Sequence, residues 1–579
     1  MHFYDDWAHQ ILKGEMHTWG AFYGLPGYPY LLAFLYRVFG YNPFVPGFLQ
    51  AGIDAGIAVI IYALSVRVFT LDQADAPQQP TDTSGFRLNQ RKWIGIAAAL
   101  GWGCFVPAQA YAVVLMPTVW FIFAFWIIIW RIVRPDPLAS NRECLLIGLL
   151  IGLVATSVAT ILILVPLILA VLVVRLKVKD RSWRTFVVRL ALVITGIAAG
   201  TSPCWIHNYI IARDPVFLSA HSGINFWIGN NAEANGYPRF PPGLRAGQAV
   251  MLEDSIAQAE LAAGHPLTRA QISSYWSEKA KRYIGDHFSD WLRLLLLKVR
   301  NFWNAFQYDD LSIISPLREE SVILPGLYFG VVAALAVPGI VLAWMKAPKS
   351  RWMTIAVMLS AAALLPVFVT ERYRLVAVPG LLIFAAFGLF FFWRTIAVPR
   401  LKAAAVYLIL LTGSTIAVAW PERDPALWAL DPYNSGWQAL ESNNLSIAEQ
   451  KLAIAHAYVP GNIETLFALG NLRLAQNNHD AAKSFYGNVI AIDPKHKGAL
   501  NNLGVVALAE NQFGEAESWF RRAEQIDPRN AKTHFLLAKT FLARNELPIA
   551  EAEIDAAIRL KPDQPEFAEL KNQIEGAAR

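Results

Sequence analysis

Residues 495–528 read KHKGALNNLGVVALAENQFGEAESWFRRAEQIDP, and the closing Ile526-Asp-Pro528 repeats the Ile492-Asp-Pro494 just before the stretch. Pro460, Pro494, Pro528 and Pro562 stand 34 residues apart, three times running. Tyr458-Val-Pro460 and Leu560-Lys-Pro562 close the outer two units as the Ile-Asp-Pro triplets close the inner two. Proline cannot continue a helix, so each marks the end of a helical pair and the turn into the next. Small residues recur where the two helices of a pair would cross, at Ala448, Ala481, Ala516 and Ala550, with Leu469-Gly470 and Leu503-Gly504 in the first helix. A fixed period of this length predicts a helical solenoid of four units. Asp563–Arg579 reads as the polar helix that caps it.

This period and pattern resemble the tetratricopeptide repeat (TPR). The resemblance implies a concave groove that takes peptides or proteins. Trp428, Tyr433 and Trp437, at the amino-terminal edge, read either as interfacial anchors or as ligand contacts. The repeat domain is expected over 434–579, after a linker at 421–433.

Upstream of it the composition changes. The chain is 55% hydrophobic and 16% charged overall. Residues 434–579 carry a net −3, leaving +9 on the first 433. A basic, apolar region without a basic stripe points to cytoplasmic loops facing anionic lipid and away from nucleic acid. Cys104, Cys144 and Cys204 lie in or beside apolar runs and offer neither a disulfide framework nor a metal spacing.

About 20 apolar residues cross a bilayer. Runs of that order occur at Phe44–Phe69, Trp93–Met116, Pro117–Val133, Cys144–Val174, Phe186–Ile206, Val322–Trp344, Trp352–Val369, Leu375–Trp393 and Ala403–Trp420. Cys144–Val174 is read as a hairpin of two short helices, because only then do Arg175, Lys177, Lys179, Arg181, Arg184 and Arg189 face the cytoplasm. Ten spans result. They put on the extracytoplasmic side residues 1–43 (an interfacial, amphipathic segment), a large loop at 207–321, the turn Thr370–Arg374 and the repeat domain. Asp54, near Gln50 within a span, reads as an interhelical hydrogen bond. The predicted fold is all-α: a polytopic transmembrane domain at 44–420, then the TPR α-solenoid, in a bacterial inner membrane with the repeats in the periplasm. Because no leader opens the chain at Met1, a further span is expected upstream.

The sequence has no phosphate-binding glycine loop, HExxH, CxxC or nucleophile elbow. Polar groups gather instead in the outer segments. The first cluster is Tyr4-Asp5-Asp6-Trp7 to Gly14-Glu15 with Tyr28-Pro29-Tyr30. The second is His207-Asn208-Tyr209 with Gly229-Asn230-Asn231. The third is Glu371-Arg372-Tyr373-Arg374. Arg372 and Arg374, on one side of a short extended turn, would suit bidentate contact with a phosphate.

At these residues the chain resembles membrane glycosyltransferases of the GT-C fold, in the branch of protein O-mannosyltransferases and aminoarabinose transferases. Tyr4, Ala8, Ile11 and Gly14 with Tyr28-Pro29-Tyr30 are similar to that family's first outer loop. Trp205, Asn208 and Tyr209 with Gly229-Asn230-Asn231 are similar to the start of its large loop, and Arg372-Tyr373-Arg374 with Pro379 to its late turn. The resemblance covers about residues 1–420. It implies transfer of a sugar from a polyprenyl-phosphate carrier to a hydroxyl of a protein, lipid or glycan acceptor at the extracytoplasmic face, with the TPR groove recruiting acceptor or partner. Asp5 and Asp6 would be the catalytic acids, deprotonating the acceptor or helping to hold a divalent metal ion. Arg372, Arg374 and Tyr373 would bind the lipid phosphate. Tyr28, Tyr30, His207, Asn208, Asn230 and Asn231 would line the pocket. The sequence departs from the family at three places. Its usual aspartate would fall just upstream of Met1, Leu115-Met-Pro117-Thr118 lacks an acid, and Gln307 stands where a glutamate is common. A membrane-anchored TPR scaffold for envelope or polysaccharide assembly is the alternative reading, followed by a polysaccharide polymerase or ligase.

Overall fold

A computed structural model describes residues 3–14, 20–69, 84–180, 182–241, 244, 248–397 and 400–578. Glu15 and Arg181, named above, lie outside them. Among the described residues the chain is all-α, with no strand and one isolated backbone bridge, between Phe105 and Leu327. It divides into two units, Met1–Glu422 and Arg423–Arg579.

Among the described residues of the first unit, six helices are long and apolar enough to cross a membrane: Phe44–Val68, Ala159–Asp180, Trp183–Ile211, Phe329–Lys346, Glu371–Ala397 and Leu401–Val418. A seventh candidate is the pair Val106–Val113 and Thr118–Ile132, bent by 118°. The ten expected spans are therefore not ten long helices. Ser84–Gly103 carries Arg87, Arg91 and Lys92, and Ser350–Ala362 is only 13 residues long. The expected hairpin does appear. Asn141–Ala155 ends in a turn at Thr156–Val158, and the chain resumes helically at Ala159. Asn141–Ala155 packs on Trp183–Ile206 through glycines four apart on each helix: a Cβ on Gly148 would lie 2.2 Å from the Val193 carbonyl oxygen, and one on Gly196 2.4 Å from that of Leu145. Only backbone fits there, an arrangement favoured between helices that have no water to expel.

The ends of these helices form two poles. At one, Arg131 pairs with Glu143 at 2.6 Å, and Arg189 with Asp180 at 2.5 Å. At the other, Gly27 N–H donates to Thr156 at the hairpin tip, Phe22 N–H to Asn208 Oδ1, and Glu371 N–H to the Tyr308 carbonyl. The segments expected outside thus meet one another. Asp54 accepts from Trp102 Nε1 at 3.1 Å, and Gln50 Nε2 donates to the carbonyls of Tyr111, Ala112 and Val114, the interhelical bonding expected of them.

The second unit is four helix pairs and a cap. The pairs are Pro425–Glu441 with Leu445–Tyr458, Ile463–Ala475 with His479–Ile492, Lys497–Ala509 with Phe513–Ile526, and Ala531–Ala543 with Leu547–Leu560. Pro565–Ala578 caps them. The expected linker at 421–433 is corrected, because Asp424 N-caps a continuous helix from Pro425 and most of that segment belongs to the first repeat. Each pair turns on an asparagine with left-handed backbone, Asn443, Asn477, Asn511 or Asn545, at φ of 59°, 57°, 60° and 61°. Asparagine tolerates that conformation better than most residues. Where the paired helices cross, Gly436 faces Leu452, Gly470 faces Tyr486 and Gly504 faces Phe520. The small residue on the second helix of the second pair is Ala482, fully buried, and not Ala481, one position off the period.

Between the third and fourth pairs, His534 Nδ1 lies 2.7 Å from Glu553 Oε2 while Nε2 donates to the Pro528 carbonyl at 3.0 Å. Burial acts to lower the His534 pKa. The Glu553 bond, the Pro528 carbonyl and the charges of Glu553 and Glu524 outweigh it and raise it above 6.5.

A Cβ at Gly504 would sit 2.4 Å from the Phe520 ring, so Gly504→Leu should destabilise the array by about 1–3 kcal/mol, read as faster amide exchange over 497–526 in the full-length protein. The raised His534 pKa means that its stabilisation is complete below 6.5 and fades as pH rises through the folded value. Exchange protection over 531–560 should therefore fall with rising pH, and His534→Gln should flatten that dependence.

Candidate functional site

The late turn expected to be extended is one turn of helix, Glu371–Arg374. In an extended chain residues two apart share a side, but in a helix they diverge by about 200°. The two arginines are accordingly separated. Arg374 is 1% exposed. It donates to the carbonyls of Asn304 at 2.7 Å and Phe306 at 3.0 Å, pairs with the buried Glu371, and lies over the Phe329 ring. Assigning Arg374 to a lipid phosphate is corrected: its guanidinium is committed to the backbone of 301–306. That grip, with Glu371 N–H on the Tyr308 carbonyl, fixes the segment that follows.

Asp310 lies on that segment and pairs with Arg372 at 2.9 Å. Arg372 is 22% exposed. Its guanidinium carbon is 4.8 Å from the Tyr373 ring centre, and Tyr4 and Tyr111 stand within reach of its charge. Burial pushes the Asp310 carboxyl above the usual carboxylate range, against the pull of Arg372. Burial likewise raises the Tyr4 phenol, again with Arg372 opposing. Asp309 anchors the neighbouring loop, accepting from Ile314 N–H at 2.7 Å and from the Tyr111 hydroxyl at 3.4 Å. Several buried polar atoms here have no hydrogen-bond partner among the described residues, including Arg372 Nε, Gln307 Nε2, Ser312 Oγ and Thr370 Oγ1. Such a concentration suits a site that binds a polar group.

The first outer segment reaches this site through Tyr4 and not through its acids. Asp5 accepts from the hydroxyls of Tyr36 at 2.6 Å and Tyr41 at 3.0 Å, tying the helix Phe3–Lys13 to Gly27–Phe39 and the turn after it, while Asp6 is exposed. Both carboxylate oxygens of Asp5 are thus taken up in joining helices, an arrangement that fits a structural tie and not the catalytic role expected of it. Four of the expected pocket residues prove to be joints. Tyr28 donates to Gln50 at 3.2 Å. Asn208 accepts from Phe22 N–H and donates to the Val216 and Leu218 carbonyls. Asn230 donates to the Pro366 carbonyl at 2.6 Å and accepts from Trp291 and Lys298. Asn231 donates to the Trp227 and Ile228 carbonyls. Their polar atoms are saturated and buried. Tyr30 is exposed, and His207 stacks on Phe22 at 4.2 Å.

Lys298, absent from the sequence reading, is fully buried and donates to Asn230 Oδ1 and the Leu365 carbonyl. Burial lowers its pKa to about 7. Asp310 was equally missed; Tyr308-Asp-Asp310 closes the large loop without any local pattern to flag it. For a metal ion, the one grouping of suitable side chains among the described residues is Glu524, His534 and Glu553 in the repeat unit, where Arg521 pairs with both glutamates. Two basic groups already balance those carboxylates. Among the described residues, none forms around Asp5 or Asp6.

Removing one partner of a buried ion pair leaves an uncompensated charge, costing about 3–5 kcal/mol. Arg374→Ala should therefore lower the thermal midpoint of the first unit far more than Arg372→Ala, measured on the purified full-length protein.

Tetratricopeptide repeat family models match residues 467–531 and 507–574. No curated protein matches the chain. Similar solved structures include the TPR protein YrrB, described as having an unusual peptide-binding site, at 17% identity over 31% of this chain and 88% of that one, with a TM-score of 0.23. TTC0263, a thermophilic TPR protein of Thermus thermophilus, is 15% identical over 32% of this chain and 95% of that one, with a TM-score of 0.24. The APC/C hetero-tetramer Cut9–Hcn1 is 13% identical over 84% and 96%, with a TM-score of 0.27. Residues 467–574 of this chain are tetratricopeptide repeats, a protein-interaction scaffold.

Proposed function

We propose that the first unit is a membrane glycosyltransferase working at the extracytoplasmic face, moving a sugar from a polyprenyl-phosphate carrier to a hydroxyl acceptor, and that the repeats recruit the acceptor or a partner. The observation that carries this is Arg372. Its side chain is 22% exposed and paired on one side with Asp310, with Nε buried and unpartnered, where first segment, large loop and late turn converge. A phosphate leaving group needs positive charge that strengthens its hold as the bond breaks. Arg372 offers it, and Gln307 Nε2, three residues from Asp310, is a second unused donor. The Asp310 pair holds the guanidinium in place without saturating it. The apolar helices would bring the carrier's polyprenyl chain alongside that arginine.

A second reading, a membrane-anchored TPR scaffold, draws on Asp5, whose carboxylate is taken up by two tyrosine hydroxyls. The readings part on one measurement. Equilibrium binding of undecaprenyl phosphate to the full-length protein in nanodiscs should weaken by at least about tenfold in Arg372→Ala, the loss of one charge-assisted contact of about 1.5–3 kcal/mol, and by less in Arg372→Lys. Equal binding by wild type and both variants would leave the scaffold.

A further inference from the structure

We infer that His221 Nε2 is the proton acceptor for the attacking hydroxyl, an inference that rests on the assignment of Arg372 to the carrier phosphate. His221 precedes the helix Ser222–Gly229 in the large loop. Two backbone bonds pin it against the first segment: Ala220 N–H donates to the Phe22 carbonyl at 2.9 Å and His221 N–H to the Tyr23 carbonyl at 3.1 Å. Its ring Nδ1 reaches the same Tyr23 carbonyl at 2.8 Å. A carbonyl oxygen can only accept, so Nδ1 carries the proton, and in the neutral ring Nε2 holds the lone pair. An imidazole oriented through Nδ1 with Nε2 left for chemistry is the arrangement a general base requires.

Its surroundings keep that lone pair available. Burial and the charge of Arg372 both lower the His221 pKa below 6.5, only partly offset by the Tyr23 bond. Of the other charged groups beside Tyr23, Arg269 lies over its ring at 5.8 Å, and the buried Asp214 is taken up by the backbone N–H groups of Arg269 and Ala270. The His221 ring is therefore neutral at neutral pH, and Tyr23, which orients it, packs in one cluster with Tyr373, the ring beneath Arg372. A phosphate bound at Arg372 would offset the smaller part of the lowering, the part due to the arginine's charge, and leave the larger part due to burial. The basicity of His221 would then rise when the donor arrives, linking base strength to occupancy.

The step balances without any further reactant. The acceptor oxygen bonds to the anomeric carbon while the bond from that carbon to the phosphate oxygen breaks. The electron pair leaves with the polyprenyl phosphate, held by Arg372, and the hydroxyl proton passes to His221 Nε2.

The test uses full-length protein in proteoliposomes. Undecaprenyl phosphate is the binding probe, and undecaprenyl-phosphate mannose, glucose and aminoarabinose are donors for sugar release to water or added serine peptide. His221→Gln keeps an amide N–H for the Tyr23 carbonyl but cannot take a proton. It should bind undecaprenyl phosphate within about threefold of wild type, lose turnover by about 10²–10⁴-fold, and lose the acid limb of the pH–rate profile. Carbethoxylation of His221 by diethylpyrocarbonate, read by mass spectrometry, should titrate below pH 6.5 in the free protein, and at a higher pH than in the free protein once undecaprenyl phosphate is bound. Turnover retained in His221→Gln, an unchanged acid limb, or a titration that the carrier does not move overturns the role of His221 while leaving Arg372 untouched. Failure of the wild type to bind the carrier, or to turn over any of the donors, overturns both.

Discussion

The grip of Arg374 on the backbone carbonyls of 301–306 is the constraint from which the candidate site follows. A guanidinium in the interior is tolerable only with its charge matched and its donors largely bonded, and here Glu371 matches the charge while the terminal nitrogens reach Glu371 and the Asn304 and Phe306 carbonyls. The late turn and the end of the large loop are thereby one body. Arg372, two residues earlier on the same helical turn, is forced to the opposite side, where it meets Asp310. One arginine holds the turn so that the other keeps a donor without a partner. The large loop is fastened a second time just ahead of that turn, through Asn230 on the Pro366 carbonyl and Lys298 on that of Leu365.

Much of the repeat unit was legible because its constraints are local. Prolines at a fixed period end helices wherever they stand, and the 34-residue spacing carries through every unit. What escaped was a register. Ala481 and Ala482 are neighbours of the same type, and only burial against the preceding helix distinguishes them. The asparagines at 443, 477, 511 and 545 keep the same period and could have been read as left-handed turns, which would have fixed that register. In the first unit the apolar runs located the helices and the charge pattern gave the hairpin. Hydropathy has no term for two helices touching backbone to backbone, so the spacing Gly148/Gly152 against Gly196/Gly200 went unread.

The site was legible in its location and less so in its assignments, for a physical reason. Composition marks where polar residues collect, but not whether their hydrogen bonds are already spent. Asn208, Asn230 and Asn231 look like ligands in a sequence and are joints in the structure, each amide closing a loop whose backbone would otherwise be buried unpaired. Asp5 is likewise consumed by tyrosines more than 30 residues away. Asp310 and His221 carried no signal because their meanings come from pairings across 62 and 198 residues, with Arg372 and with Tyr23.

That inversion bears on how the two units could cooperate. The repeat unit is built from short-range repeats whose faces can change without disturbing the period, since each turn depends on an asparagine and each crossing on one small residue. The first unit has no such freedom, because the segments at its polar pole are held by single, saturated side chains drawn from distant parts of the chain. Sequence variation is therefore cheaply accommodated in the repeats. Any chemistry at Arg372 depends on the buried pair beneath it, which cannot be altered without losing the turn itself.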